Sequence, residues 1–309
     1  MLFFTALSVV LIMLVYALPG FALVKSKLVK PDSISAFARL LMYVCSPCLV
    51  FYSITRNEFS WDLTYSMLIA FAIIGSLLLL GMVGFYLAFK KKCDNVKFRV
   101  YSIATTLANG AFMGVPVLEA LFPNHPQVVA FSAMYSLSMN IVGWSLASYI
   151  ISGEKRYMSA KKIFLNPATI ALVVSIPFYA IGLQIPDLIF DMITLLAKMT
   201  TPLCMLIMGM RLACASFKSV FFTPGHYAIV AIKQLLFPLV AFLILLPLPI
   251  DSILKCSIYI IFACPVASVV LSFSEMIGKG QEHASSLVLL GTTLSALTIP
   301  LMSLLIGWL

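Results

Sequence analysis

Charge is what this sequence has least of. Only 10% of its 309 residues are Asp, Glu, Lys or Arg, while 62% are hydrophobic; soluble domains carry about 25% charged and about 45–50% apolar residues. One aqueous core cannot bury that much apolar surface, so the solvent over most of the molecule is lipid, and the chain reads as an all-α integral membrane protein. Acids number 11 and histidines three. No paired carboxylates, nucleophile–base pair or central His stands at membrane depth, so an enzyme is not expected. His125, His226 and His283 fall in loops or at helix ends without metal spacing, and no metal or cofactor is expected. The G-x-x-x-x-G-K-[ST] loop is missing, which excludes direct drive by ATP. Seven cysteines, mostly in apolar segments, give no disulfide framework. A basic n-region and a small-residue cleavage site are also missing, and the first cation is Lys25. The opening segment is therefore expected to be a retained helix.

Apolar runs between charged or Pro/Gly-rich breaks predict ten spans: 2–24, 34–55, 63–89, 98–122, 127–151, 166–184, 187–210, 226–249, 252–274 and 284–308. Fifteen of the twenty Lys and Arg then fall on one side, in the loops holding Lys25, Lys90–Lys92, Lys155, Arg211 and Lys279. The other side holds Arg56 and Lys255 beside Glu58, Asp62, Asp187, Asp191 and Asp251. Arg39, Lys198 and Lys233 lie within spans. This asymmetry predicts a multi-pass protein of the cytoplasmic membrane with both termini outside. It also gives the net charge of +9 a membrane reason, so no nucleic-acid partner is expected.

A shift of 155 residues superposes Leu40-Leu41 on Leu195-Leu196, Ser46-Pro47 on Thr201-Pro202, Ser102-Ile103 on Ser257-Ile258, and Gly110 on Pro265. Residues 1–153 and 166–309 thus read as two five-helix repeats, joined by a connector at 154–165. An odd number of spans makes the second repeat enter inverted. Spans four and nine carry helix-weakening residues near mid-depth: Asn109, Gly110, Gly114 and Pro116 in one, Cys264 and Pro265 in the other. Matched interruptions in two halves point to a binding site. Pro116 lacks an N–H and crowds the carbonyl of Phe112.

The segment "TLANGAFMGVPVLEALF" is similar to the fourth-helix signature Asn-x-x-x-Met-Gly-hydrophobic-Pro of the auxin efflux carrier family. "LLMYVCSPCLVFYSI", "NPATIAL", "TTPLCMLIMGMRL", "CPVASVVLSFSEM" and "GTTLSALTIPLMSLL" extend the resemblance, in order, across nearly the whole chain. The short connector resembles the compact microbial form rather than the plant type with its long central loop. The resemblance implies a ten-helix NhaA/PIN-like fold with crossed helices four and nine. Helices 1, 2, 6 and 7 would form a scaffold, and 3–5 with 8–10 a transport domain. It further implies elevator-type secondary transport of small organic anions, malate- or malonate-like or auxin-like. Asn109 matches the substrate-contacting Asn, Asn140 falls where plant members place a Gln, and Pro116 and Pro265 match the crossover prolines. Where the plant pattern has a second Pro, this chain reads Val269-Val270-Leu271, which leaves pocket shape on that side open.

Substrate binding is therefore expected at Asn109, Gly110 and Asn140. Lys198 either offers charge to the anion or snorkels to the interface. Lys233 is expected to snorkel. Glu119 and Glu275, ending spans four and nine, read as interfacial or as ion-coupling groups. Pro47 and Pro202 are expected scaffold prolines, so Cys45-Ser46-Pro47-Cys48 reads as packing rather than as a redox motif. The coupling ion, proton or sodium, stays open, as does a homodimer through the scaffold. A transport-inactive receptor on the same fold is the alternative.

Overall fold

The computed structural model describes residues 2–309. Eight helices among them are long and apolar enough to cross a membrane. They are α1 (Leu2–Lys25), α2 (Pro31–Thr55), α3 (Trp61–Lys92), α6 (Gln127–Ser152), α7 (Lys155–Ile181), α8 (Asp187–Cys214), α9 (Pro224–Leu245) and α12 (Gln281–Trp308). The predicted spans four and nine are each two short helices with an extended link. Span four is α4 (Val96–Ala104) and α5 (Gly114–Leu121); span nine is α10 (Ser252–Ala263) and α11 (Val269–Ile277). The all-α membrane class expected from composition is what the structure has.

Helix limits follow local chemistry. Ser60, Asn166 and Asp251 accept backbone N–H groups at the starts of α3, the regular part of α7, and α10, which satisfies donors that would otherwise be orphaned. Gly182 and Gly278 stop α7 and α11 in the left-handed conformation, at φ 68° and 69°. Large apolar side chains such as Leu11, Val15, Leu188 and Leu195 stay exposed on the outer faces of α1 and α8. Lipid, not water, is their solvent.

α1 lies along α8, α2 packs on α7 and α8, and α3 packs on α6. Two glycines set the first of these contacts. A methyl group on Gly209 would stand 1.8 Å from the Ala17 carbonyl oxygen, and one on Gly20 would stand 2.0 Å from that of Leu206. Small residues that let backbones touch are how membrane helices associate without a hydrophobic driving force. Gly209→Leu is expected to separate α1 from α8 and to abolish recovery of monodisperse protein, read by size-exclusion chromatography in detergent. Normal elution of that variant would contradict the packing.

Candidate functional site

The two extended links cross at the centre of the molecule. Ala108 and Val266 form an antiparallel bridge. Asn109 donates its N–H to the Pro265 carbonyl at 2.7 Å, and Ala267 donates to the Leu107 carbonyl at 3.0 Å. The phenol of Tyr135, from α6, accepts the Ala108 N–H at 2.8 Å and donates to the Ala108 carbonyl at 2.7 Å. Backbone unwound inside a membrane must find such partners, because lipid offers none. The bridge joins residues 158 apart, three more than the offset of 155 read from the sequence. By that offset the counterpart of Pro265 is Leu107 rather than Gly110, and the residue that faces Pro265 across the bridge is Asn109.

Gly110 serves close approach: a methyl group there would meet Ile261 at 2.7 Å and the Tyr135 ring at 3.0 Å. Gly114 opens α5 next to the buried thiol of Cys264, at ordinary contact distance. Pro116 is the third residue of α5, a position where its missing N–H costs little. The Phe112 carbonyl accepts a 2.7 Å hydrogen bond from Thr201 Oγ1 of α8. One residue back, Thr200 Oγ1 donates to the Cys45 carbonyl of α2 at 3.2 Å. Pro202 and Pro47 thus flank the point where α8, α2 and the crossover meet. Cys45 and Cys48 are free thiols.

Asn109 is 5% exposed, and its carboxamide lies beside the Cys204 thiol of α8. Its backbone is fully engaged: besides the bond to Pro265, its carbonyl accepts from Met113 and Gly114. Asn140 of α6 has partners of its own. It donates to Thr169 Oγ1 at 3.3 Å and accepts from Asn166 at 3.1 Å, tying α6 to the start of α7. Lys198 is exposed on α8 and takes no part in the contacts that join α8 to the crossover.

Glu119 and Glu275 each sit in an ion pair. Arg56 of α2 reaches Glu119 of α5 at 2.6 Å, and Arg211 of α8 reaches Glu275 of α11 at 2.9 Å. Both arginines and both acids are related by the repeat offset, to within a residue. The pairs stand at the ends of their helices, one on the acidic side and one on the lysine-rich side. A cleft of about 890 Å³ opens on the lysine-rich side, between α2 and α8 on one wall and α11 and α12 on the other. Arg39, Arg211 and Glu275 line it; it ends at Met42 and Leu271, short of Asn109. On the other side of the crossover lies a chamber of about 10 Å³, lined by Ser46, Ser53, Ser132 and Ser136 among others. The Ser132 hydroxyl there is buried without a partner.

Three features escape a sequence reading. Lys233 does not snorkel: it is fully buried, and its ammonium donates to the Phe262 carbonyl at 2.7 Å, at the end of α10. A π-helical turn over Ile232–Leu236 carries both Lys233 and the buried Gln234. Both continue the buried face of His226, Ile229 and Val230, and such turns are frequent at functional sites. Gln234 in turn binds the Gly291 carbonyl and Thr298 of α12. His226 and His283, 57 residues apart, meet at 3.3 Å. No group of three or more metal-ligating side chains occurs among the described residues.

The profile of a protein family described as membrane transport protein matches residues 4–156 and 154–303. An uncharacterized transporter of Methanothermobacter thermautotrophicus is 25% identical over 215 residues, which cover 69% of this chain and 70% of that protein. Both findings agree with the resemblance drawn from "NGAFMGVP" and its companion segments.

Proposed function

We propose that this chain, which belongs to the membrane transport protein family, is a secondary carrier of small organic anions working by an elevator motion. Transport across a lipid bilayer is the family's activity; substrate class and mechanism rest on the crossover. The observation that carries the reading is Asn109: a buried carboxamide on an unwound link, facing a helix of the other helix group. An amide donor beside the N-terminal end of α5, where backbone dipoles favour negative charge, suits a carboxylate. A neutral donor also leaves release fast, since charge-assisted bonds are roughly twice as strong.

In this reading residues 1–153 and 166–309 are inverted repeats, and the two broken helices that meet in an antiparallel bridge support it. α1, α2, α7 and α8 stand still. α3–α6 and α9–α12 carry the crossover past them. The lysine-rich side is cytoplasmic by the positive-inside rule, so the large cleft is the inward vestibule and the small serine-lined chamber is the closed outward path. The Arg56–Glu119 and Arg211–Glu275 pairs join the moving group to the fixed one at both faces, and each must part during the stroke. Exposed pairs of this kind contribute about 0.2–1 kcal/mol. Glu119→Gln is therefore expected to move the population toward the outward-open state by a factor of about 1.4–5. Labelling of Ser136→Cys by a membrane-impermeant maleimide added outside reads that shift, and unchanged labelling would remove the latch role.

The test of function is uptake into proteoliposomes of a panel of mono- and dicarboxylates under imposed proton or sodium gradients. Accumulation of at least one carboxylate is expected. If none moves under any gradient, the carrier reading fails; binding without flux would favour a receptor on the same fold.

A further inference from the structure

Lys233 is a charge without a counter-ion. It is fully buried, and among the described residues the ion pairs are Arg56–Glu119, Arg156–Glu154 and Arg211–Glu275, none of which includes it. Its neighbours are the Phe262 carbonyl at 2.7 Å, the Phe237 ring with its centroid at 5.6 Å, and the Cys264 thiol. A lone buried ion costs several kcal/mol, and one carbonyl with a half-helix end offsets only part of that. Of the ammonium's three donors, one is used. Phe262 lies three residues before Pro265, whose carbonyl binds Asn109. Lys233 therefore stands beside the crossover. The corresponding end of the other broken helix has no cation: there Thr105 Oγ1 caps the Ser102 carbonyl.

We propose that Lys233 is the specificity-determining charge of the site, the fixed cation that makes the crossover select an anion over a neutral molecule of the same shape. The proposal rests on the carrier reading above. Its ammonium acts across the crossover through a low-dielectric interior, where one fixed charge changes the affinity of an anion by about tenfold or more. Lys233 continues the buried face of His226, Ile229 and Val230, which aims it into the protein.

The test is competition of radiolabelled malonate uptake in proteoliposomes by unlabelled malonate and by malonamide, its uncharged isostere. In the wild type malonate is expected to compete about tenfold or more better than malonamide. Lys233→Gln keeps a donor for the Phe262 carbonyl but removes the charge, and it is expected to bring the two competitors to within about threefold. Lys233→Arg is expected to keep the preference. A purely structural lysine would lower all uptake and leave the ratio alone, and an unchanged ratio in Lys233→Gln overturns the proposal. Should that variant not fold, the wild-type ratio still decides. Equal competition by malonamide overturns the proposal and leaves a carrier standing, whereas no uptake of malonate or any other carboxylate removes the carrier reading and the proposal together.

Discussion

Asn109→Ala is expected to abolish carboxylate uptake while leaving the protein folded and inserted. The substitution spares the crossover, because the bonds that hold it there are backbone bonds: N–H to Pro265, carbonyl to Met113 and Gly114. Alanine makes all three. Only the carboxamide is lost, and with it a donor to the substrate carboxylate. A hydrogen bond to a charged group contributes about 1.5–3 kcal/mol, so substrate affinity should fall by about 10- to 150-fold. The melting temperature should fall by only a few degrees, since the backbone bonds of the crossover are kept and only the carboxamide beside Cys204 is lost. Substrate-dependent thermal shift and proteoliposome uptake measure the two sides. Loss of uptake together with loss of fold would make Asn109 a structural residue, and retained uptake would move the site elsewhere.

Tyr135→Phe should do the reverse. Its phenol is the partner of both the N–H and the carbonyl of Ala108, and both lie in a fully buried stretch. Phenylalanine keeps the ring, which packs edge-on against Phe262 with centroids 6.0 Å apart, but strands two backbone groups. Each unsatisfied buried group costs about 1–3 kcal/mol, so a destabilisation of about 2–6 kcal/mol is expected. At the scale of a protein this size that is a fall in melting temperature of roughly 5–15 °C. A thermal denaturation series in one detergent measures it. A variant as stable as the wild type would mean that the unwound link is satisfied in some other way.

Much of the site was legible because helix-breaking residues are conspicuous in an apolar run. Asn109, Gly110, Pro116 and Pro265 marked both interruptions, and eight continuous spans followed from hydropathy alone. The fine register was not legible: the bridge pairs Ala108 with Val266, because the linkers before the two breaks differ in length and a repeat offset read from leucines averages over them. Lys233 was misread for a physical reason. Near a span's end a lysine ordinarily reaches for water, but Lys233 continues the buried face of His226, Ile229 and Val230, which points into the protein. Glu119 and Glu275 looked interfacial because their partners, Arg56 and Arg211, lie more than sixty residues away in the chain. Asn140 also bridges α6 to Asn166 and Thr169; its polarity was visible, but not which neighbours would use it.

The most direct measurement is a cryo-electron-microscopy structure in lipid nanodiscs, saturated with a carboxylate that the uptake assay identifies. Ligand density is expected against the Asn109 carboxamide, between the crossover and α8. Density confined to the cleft lined by Arg39 and Arg211, with the crossover unchanged, would contradict it.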